Sequence, residues 1–346
     1  MASTFNSFIS DLPFKLSQSI FLVFYITIWL LNKFCNLFSL SGRSIEVMSI
    51  LDFSGRILSV GIFSSKFMIR FISPAKDLSD FVKEYWVWEG IRSSELPWIL
   101  PSYEPELVFH FSEPPVLLFP DSSRYNLDRI HWIGPQTRRW KVESKTPLEL
   151  ASIRFHPGAL WELYSISSAE ISDRFPPLSE VLEFRSDKNF RIYRKGSDLS
   201  AHLDSFLRSN IGKKREIPVF LKSALEALKK AARVDELASE LGISRKQLDR
   251  KFKKIYGLSP KDFRKLHRVL TLVRNPMHYK NINEHVRLTD IALESGYSDQ
   301  PHLIKEFKEI SGISPKEWFD FYKKMSHFYN SDSEKSVIKG IREGKI

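Results

Sequence analysis

The chain has 346 residues, which is long enough for two domains with separate hydrophobic cores. Its hydrophobic fraction of 42% and charged fraction of 27% are typical of a globular protein rather than a disordered one. Its single cysteine, Cys35, excludes a disulfide framework, a cysteine-based zinc site and a redox pair. The 52 basic residues against 41 acidic ones give a net charge of +11, which indicates a polyanionic partner: nucleic acid first, an anionic membrane surface second.

The first feature in chain order is an uncharged, largely apolar stretch between Lys15 and Lys33, LSQSIFLVFYITIWLLN. Its length is near the lower limit of about 17 residues for a bilayer-spanning helix. Four interpretations remain open: a membrane anchor, a signal-like segment, a buried core helix, or sequence upstream of the true start of the protein. We favour the last, because residues 1–67 show no sustained helical or strand period and domain-like sequence begins at Met68.

The basic residues that follow this stretch outnumber the flanking charges before it. If the stretch is an anchor, the positive-inside rule therefore leaves the rest of the chain in the cytoplasm. Both main interpretations predict a cytoplasmic location for the remaining domains, with an inner-membrane anchor as the alternative. The basic residues concerned are Lys33, Arg43, Lys66 and Arg70.

Residues 68–185 predict a β-rich domain. Short apolar or aromatic runs alternate with clusters of Pro, Gly, Ser and Asp, as in strands joined by turns. A helix is predicted after Pro157, because proline suits a first helical turn and GALWELYSI has apolar residues at helical spacing. We expect a small sandwich or barrel with one or two helices, serving as an effector or oligomerisation domain. The strand-like runs are YWVW, ELVFHF, VLLF, HWIG and ELASIRF.

This middle domain has no recognisable catalytic or metal-binding pattern. Its histidines are dispersed, without a His-x-His pair, so we interpret them as structural and expect no metal and no cofactor. A phosphate-binding loop and a nucleophile elbow are also missing, so no enzymatic activity is expected, and an enzyme fused to the C-terminal region is a minor alternative. The tryptophans form either core or a ligand pocket, and three arginines are either surface charges or contacts to an anionic effector. These residues are His110, His131 and His156; Trp86, Trp88, Trp98, Trp132, Trp140 and Trp161; and Arg138, Arg139 and Arg154.

After a polar linker at 186–217, the sequence of residues 218–324 is helical and repeats itself. The two copies are ELASELGISRKQLDRKFKKIYGLSPKDF and DIALESGYSDQPHLIKEFKEISGISPKEWF, and the second has one extra residue in its turn. Such a match indicates a duplicated structural unit. Between Lys213 and Lys324 there are roughly 25 basic against 15 acidic residues, so nearly all the net positive charge lies here.

Each copy has the parts of a helix-turn-helix unit. The first helix is predicted at Val234–Leu241 and at Leu288–Ser295. A glycine then needs a positive φ to leave the helix, and a serine stands near the start of the second helix as an N-cap. On that second helix, a leucine and a phenylalanine four residues apart pack against the first. In chain order these residues are Gly242, Ser244, Leu248 and Phe252 in the first copy, and Gly296, Ser298, Leu303 and Phe307 in the second.

Residues 218–324 resemble the DNA-binding domain of the AraC/XylS family, whose signature region is matched by GYSDQPHLIKEFKEISGISPKEW. The middle domain is similar to an uncharacterised β-rich domain found ahead of such regulators. The resemblance implies an α+β protein: a β-rich, sensor-like N-terminal domain followed by an all-α tandem helix-turn-helix domain. It also implies that a helix at Lys261–Arg274 joins the two units, so that both recognition helices enter successive major grooves, about 34 Å apart.

The implied function is sequence-specific DNA binding by a transcription factor, with double-stranded DNA as the partner. RNA polymerase, a small-molecule effector bound by the middle domain and a second copy of the chain are further candidate partners. The alternative is a membrane-tethered signalling regulator, with the N-terminal hydrophobic segment as anchor or sensor. Residues 325–346 are expected to form a flexible tail.

The resemblance also assigns DNA contacts, position by position. In the first recognition helix Lys246, Asp249 and Arg250 face bases, with Arg250 as the best candidate for a bidentate contact to guanine. Lys253 and Lys254 hold phosphates. The second helix departs from the usual basic character, so we expect it to bind more weakly. The complete predicted set is Arg245, Lys246, Asp249, Arg250, Lys253, Lys254, Gln300, His302, Lys305 and Lys308.

Overall fold

The computed structural model describes residues 45–51, 57–64, 67–182, 198–212, 214–274 and 288–322. The hydrophobic stretch between Lys15 and Lys33, residues 186–197 and 213 of the predicted linker, and the predicted tail lie outside these residues. The rest of the predicted linker is described, and it contains the helix Leu199–Asn210, whose apolar side chains join the core of the middle domain. The prediction of a linker is therefore wrong for this segment. Within the described residues, a β-rich N-terminal part precedes a helical C-terminal part, so the predicted α+β class is confirmed.

The strands of the described chain form two antiparallel sheets. They are β1 (Ile45–Leu51), β2 (Ile57–Ser64), β3 (Phe67–Ile72), β4 (Val82–Ile91), β5 (Glu106–His110), β6 (Val116–Leu118), β7 (Arg124–Asn126), β8 (Ile130–Ile133), β9 (Lys141–Glu143) and β10 (Leu148–Phe155). The larger sheet has 7 strands in the order β1-β2-β3-β4-β10-β5-β8, and the smaller has 3 in the order β7-β6-β9.

Strands β1 and β2 lie within residues 1–67, where we predicted no strand period. β1 pairs with β2, and β2 pairs with β3, so the sheet continues on the N-terminal side of Met68. The strand sequences IEVMSIL and ILSVGIFS carry apolar residues at both odd and even positions. They therefore lack the alternation that identifies a half-buried strand, and the prediction missed them.

Side chains of the larger sheet alternate between two cores, as the pleat of a strand requires. On β5, Leu107 and Phe109 join a core shared with the helices that cover one face of the sheet. Val108, between them, joins a second core with residues of the smaller sheet, such as Leu117 on β6. The middle domain is thus a two-sheet structure with helices on its outer face.

The helices of the described chain complete the middle domain and build the C-terminal part. The predicted helix after Pro157 is confirmed as α1, and the predicted joining helix as α8. They are α1 (Ala159–Tyr164), α2 (Ser168–Ile171), α3 (Leu178–Val181), α4 (Leu199–Asn210), α5 (Val219–Lys229), α6 (Val234–Glu240), α7 (Arg245–Tyr256), α8 (Pro260–Arg274), α9 (Leu288–Glu294), α10 (Gln300–Ser311) and α11 (Pro315–Tyr322).

Helices α6 and α7 form the first helix-turn-helix unit, and α9 and α10 form the second. The turns contain Gly242 and Gly296, whose φ angles of 63° and 74° confirm the predicted positive φ. The leucine and phenylalanine of each recognition helix are fully buried in one hydrophobic core that spans both units. This packing explains the duplicated pattern, because each pair anchors a recognition helix to its own first helix.

The N-caps of the two recognition helices differ. Ser244 caps α7 as predicted, and it forms a capping box with Gln247. In α10 the N-cap is Asp299, whose Oδ1 accepts a hydrogen bond of 2.8 Å from the backbone N–H of His302. The prediction of Ser298 was wrong by one residue, because the longer turn of the second copy displaces the start of the helix.

Replacing Asp299 with alanine should lower the free energy of unfolding by about 1 kcal/mol, because an orphan N–H at the start of α10 loses its acceptor. Ser298→Ala is the matched control, since the Ser298 hydroxyl contacts side chains rather than the helix backbone. Urea titration followed by circular dichroism measures both variants. A Ser298→Ala variant as unstable as Asp299→Ala would contradict the shifted cap.

Candidate nucleic-acid interface and the cavity behind it

The first recognition helix, α7, has one buried and one exposed face. Its anchor residues pack against aromatic neighbours: the Phe252 ring centroid lies 4.4 Å from that of Tyr256 and 5.7 Å from that of Phe263. The exposed face carries four of the predicted contacts, and Asp249 is half-buried at its edge. The four are Arg245, Lys246, Arg250 and Lys253.

These cations differ in how far they are already engaged within the protein. Arg245 donates a hydrogen bond of 2.9 Å to Asp235 on α6. Among the residues that the structure describes, Lys246, Arg250 and Lys253 have neither an ion pair nor a side-chain hydrogen bond. Unpaired cations in a row on an exposed helix face suit binding to an anionic surface, because no internal partner competes with the ligand.

The second recognition helix, α10, is engaged more fully by its own domain. Gln300 accepts a hydrogen bond of 3.1 Å from Thr289, and the His302 ring lies 3.2 Å from Glu306. Glu306 in turn accepts a hydrogen bond of 2.6 Å from Arg268 on α8. Two predicted contacts, Lys305 and Lys308, are exposed without an ion pair in the described chain.

The C-terminal end of α7 rests on the middle domain. The Ser167 hydroxyl donates to the carbonyl of Lys254 at 3.0 Å, and the Ser172 hydroxyl donates to the carbonyl of Gly257 at 2.6 Å. The ammonium of Lys254 lies 5.1 Å from the centroid of the Trp161 ring. Lys254, which we predicted to hold a phosphate, is therefore engaged at the domain interface in this structure.

Residues 134–140, between β8 and β9, touch the C-terminal ends of both recognition helices, and we call them the interdomain loop. A Cβ atom on Gly257 would lie 2.6 Å from Pro135, and one on Gly312 would overlap the guanidinium of Arg139. Both glycines have a positive φ, 83° and 82°. Glycine is thus needed at these positions for the helix ends and for the close approach of the loop.

A cavity of about 110 Å³ lies between the two sheets of the middle domain and one end of α8. Its wall is mostly apolar and includes the indole rings of Trp86, Trp88 and Trp140. Leu270 and Arg274 of α8 also line it. The helix that joins the two helix-turn-helix units therefore forms part of the cavity wall.

The other tryptophans that we considered as pocket residues lie elsewhere. Trp132 is fully buried in the core between the larger sheet and its helices. Trp98 lies beside Arg139, whose guanidinium is 5.1 Å from its ring, and Trp161 faces the C-terminal domain. Three of the six tryptophans thus line the cavity, and three serve packing or domain contact.

A buried group of charged residues, which we call the charge cluster, forms one side of the cavity. The guanidinium of Arg154 donates to Glu84 at 2.9 Å and to Glu106 at 2.8 Å. Glu104 accepts from Lys83 at 3.0 Å and from Arg274 at 3.3 Å. The cluster contains Lys83, Glu84, Glu104, Glu106, Arg154 and Arg274, so its formal charges cancel.

Two family models match the chain. Residues 70–177 match a domain of unknown function, DUF6597, and residues 237–320 match a helix-turn-helix domain. The second match covers both units whose packing and exposed cations are described above. The C-terminal domain is a helix-turn-helix domain of the AraC/XylS type, which supports a DNA-binding regulator. The resemblances of the two domains are thereby confirmed, and no curated protein matches the chain.

Solved structures resemble the chain only distantly. ToxT from Vibrio cholerae is 13% identical, with a TM-score of 0.38, over 65% of this chain and 92% of that one. ToxT bound to an unsaturated fatty acid is 10% identical, with a TM-score of 0.35, over 64% and 88%. The C-terminal domain of AraT, a response regulator from Geobacillus stearothermophilus, is 18% identical, with a TM-score of 0.27, over 31% and 88%. TM-scores this low do not establish a shared overall fold.

The three arginines that we considered as contacts for an anionic effector do not converge in the regulator. Arg138 pairs with Asp121 at 3.3 Å on the surface, and Arg139 lies in the interdomain loop. Arg154 does line the cavity, but its guanidinium is already bound by glutamates and lies 3.8 Å from the centroid of the Trp86 ring. The structure gives each of the three arginines a different environment and does not bring them together into one anion site.

The buried histidines are neutral over the physiological range. Burial, together with the neighbouring His131 and Arg129, lowers the pKa of His110 to about 3. Burial also lowers the pKa of His131 to about 4. Their rings are stacked, with centroids 5.2 Å apart. Since both pKa values lie below that of an unfolded chain, about 6.5, protonation favours the unfolded state.

The middle domain should therefore lose stability as the pH falls from about 6.5 towards 4. Below the unfolded pKa the unfolded chain binds more protons, so each such histidine costs up to about 1.4 kcal/mol per pH unit until its folded pKa is reached. His110→Phe should flatten this dependence in urea titrations at a series of pH values. His202→Phe is the control, because His202 is an exposed histidine on α4. An unchanged slope in His110→Phe would refute the assignment.

The described residues contain neither a candidate metal site nor a candidate membrane-spanning helix. Among them, no group of three or more His, Cys, Asp or Glu side chains is placed to hold a metal ion. None of the helices in this part of the chain has the length and apolar character needed to cross a membrane.

Proposed function

We propose that this regulator reads specific DNA sequences by placing α7 and α10 in successive major grooves, about one helical turn apart. The observation that carries the proposal is the exposed, unpaired face of α7: Lys246, Arg250 and Lys253 lie opposite the buried anchor residues. A helix fixed in this way presents the donors that base edges and phosphates accept.

We assign the contacts as follows. Arg250 pairs with a guanine, Lys246 and Asp249 face neighbouring bases, and Lys253 holds a phosphate. Arg245 contacts DNA only if it leaves Asp235, and Lys254 only if it leaves Trp161. In the second helix Gln300, His302, Lys305 and Lys308 take the corresponding places. Because two of these four are engaged within the domain, α10 contributes less to binding than α7.

Replacing Arg250 with alanine should weaken binding to the specific site by about 1–3 kcal/mol and relax the base preference at one position. The site is first obtained by selecting bound fragments from the source genome, and affinities are then measured by fluorescence anisotropy at fixed salt. The control is Lys251→Ala, because the Lys251 ammonium lies 5.2 Å from the Phe220 ring and away from the proposed face. An equal loss on every sequence would instead make Arg250 a phosphate contact.

Further partners follow from the same proposal. The middle domain binds a small-molecule effector, for which the cavity is the site, and RNA polymerase and a second copy of the chain are its protein partners. We propose a cytoplasmic location and assign the chain no catalytic activity.

The competing hypothesis, a membrane-tethered regulator, is tested by fractionation of the native protein. A soluble pool with full DNA binding contradicts the tether.

A further inference from the structure

The charged side chains that line the cavity are already paired with each other or with neighbouring residues. Two cations, Arg154 and Arg274, and two anions, Glu104 and Glu106, line it, and each has a partner of opposite charge. Glu104 remains charged, because Arg274, Lys83 and Arg154 outweigh the effect of burial and hold its pKa below the ordinary value. A charged molecule that enters this space would lose its hydration and find no free counter-charge.

In the described part of the chain, three side chains of the wall, His110, His131 and Gln136, carry buried acceptor atoms without a donor, and the neutral His110 ring also has an unpaired N–H. The His131 Nδ1 atom lies 2.9 Å from the Asp128 carbonyl, which only accepts, so Nδ1 carries the proton and Nε2 is an acceptor. Gln136 donates both amide hydrogens, to the carbonyls of Gly134 and Arg174. No donor reaches His131 Nε2 or Gln136 Oε1 among the described residues. A buried acceptor of this kind costs free energy until a donor is supplied.

We propose that the cavity binds a small, uncharged and mostly apolar molecule that brings a hydroxyl or N–H donor, and that α8 senses its presence. The volume of about 110 Å³ is of the same order as a cavity of about 150 Å³ that holds benzene. The tryptophan rings of the wall favour a planar, aromatic body. The unpaired acceptors favour a donor group, and the balanced charges disfavour a carboxylate.

The route to α8 consists of contacts that cross the domain boundary. The hydroxyl of Tyr103 lies 3.1 Å from His267 Nδ1, and its ring packs against Phe263, with centroids 4.8 Å apart. One residue later, Glu104 binds Arg274 at the end of α8. A molecule that fills the cavity touches Leu270 and Arg274 and thereby alters the helix that sets the positions of α7 and α10. This coupling rests on the proposed DNA-binding function.

The ligand class is tested with three probes of one size on the full chain: phenol, toluene and benzoate. Binding is followed by tryptophan fluorescence, because Trp86, Trp88 and Trp140 line the site, and by calorimetry. Phenol should bind at least about tenfold more tightly than benzoate, because the carboxylate finds no free cation. It should also bind more tightly than toluene, which has no donor. Benzoate binding as tightly as phenol, or no probe binding, overturns the proposal.

Variants locate the site. Val108→Phe places a ring in the cavity and should abolish phenol binding while the circular dichroism spectrum is retained. If this variant does not fold, Leu127→Phe, at a half-buried position of the wall, provides the same test. Phenol binding that survives in the folded variant places the probe elsewhere and overturns the proposal.

Coupling is measured as the affinity for selected DNA with and without saturating phenol. In the wild type, the DNA affinities with and without phenol should differ by a factor of at least about three. In Arg274→Met, which keeps the stem of the side chain but removes its charge, the two affinities should be equal. Equal affinities in the wild type, or an undiminished difference in Arg274→Met, overturn the coupling. Failure to bind DNA without phenol would instead contradict the proposed function, so the two failures are distinguishable.

Discussion

Replacing Phe252 with alanine should destabilise the C-terminal domain by about 3–5 kcal/mol and abolish DNA binding at physiological temperature. The ring is fully buried, and it touches Tyr256 on its own helix and Phe263 on α8. Removing it leaves a cavity where α7 meets both its first helix and the joining helix. Because domains are stable by only about 5–15 kcal/mol, this loss is a large part of the total.

Urea titration monitored by circular dichroism measures the effect, and anisotropy with selected DNA measures the loss of binding. Val219→Ala is the control, since Val219 on α5 is 80% exposed and its truncation should change stability by less than about 0.5 kcal/mol. Phe307→Ala, at the equivalent position of α10, should cost a similar amount. If Phe252→Ala unfolds at the wild-type urea concentration, the anchoring of α7 by this ring is refuted.

Replacing Arg154 with methionine should destabilise the middle domain by about 3–5 kcal/mol, because Glu84 and Glu106 lose their buried counter-charge. Burial lowers the pKa of Arg154, but Glu106, Glu84 and Glu104 together raise it above its ordinary value, so the guanidinium stays charged in the wild type. Methionine keeps the apolar stem of the side chain but removes the guanidinium, which also lies 3.8 Å from the centroid of the Trp86 ring. The loss therefore reports on the charged group rather than on the volume of the stem.

A compensated variant separates the two effects. Arg154→Met combined with Glu84→Gln and Glu106→Gln should recover a large part of the lost stability, because neutralising a whole buried ionic group is far less costly than breaking it. The measurement is the free energy of unfolding from urea titration at neutral pH. A combined variant as unstable as the single one would show that packing, and not charge, sets the effect.

The tandem helix-turn-helix arrangement was predictable because its determinants are local. Gly242, Leu248 and Phe252 lie within one short stretch, and their spacing matches the helical period. The repeat then identifies the second unit independently. The miss at Ser298 is small: two adjacent residues, Ser298 and Asp299, are both good N-caps, and the sequence alone does not choose between them.

The charge cluster was not predictable in this way. Glu84 lies on β4, Arg154 on β10 and Arg274 on α8, and only the pairing of strands and the docking of two domains bring them together. The one local signal was the pair Glu104 and Glu106, two residues apart beside a strand, which places both on one face. Such acidic residues between apolar ones indicate a buried partner but do not identify it.

The interdomain loop has a consequence for how target sites are organised in a genome. Pro135 touches the C-terminal end of α7, and Arg139 touches that of α10. A movement of the interdomain loop would therefore move both recognition helices. DNA sites whose two half-sites differ in spacing by one base pair therefore require different positions of the interdomain loop. On the proposed mode of DNA binding, tolerance for irregular spacing then depends on the middle domain as well as on the recognition helices.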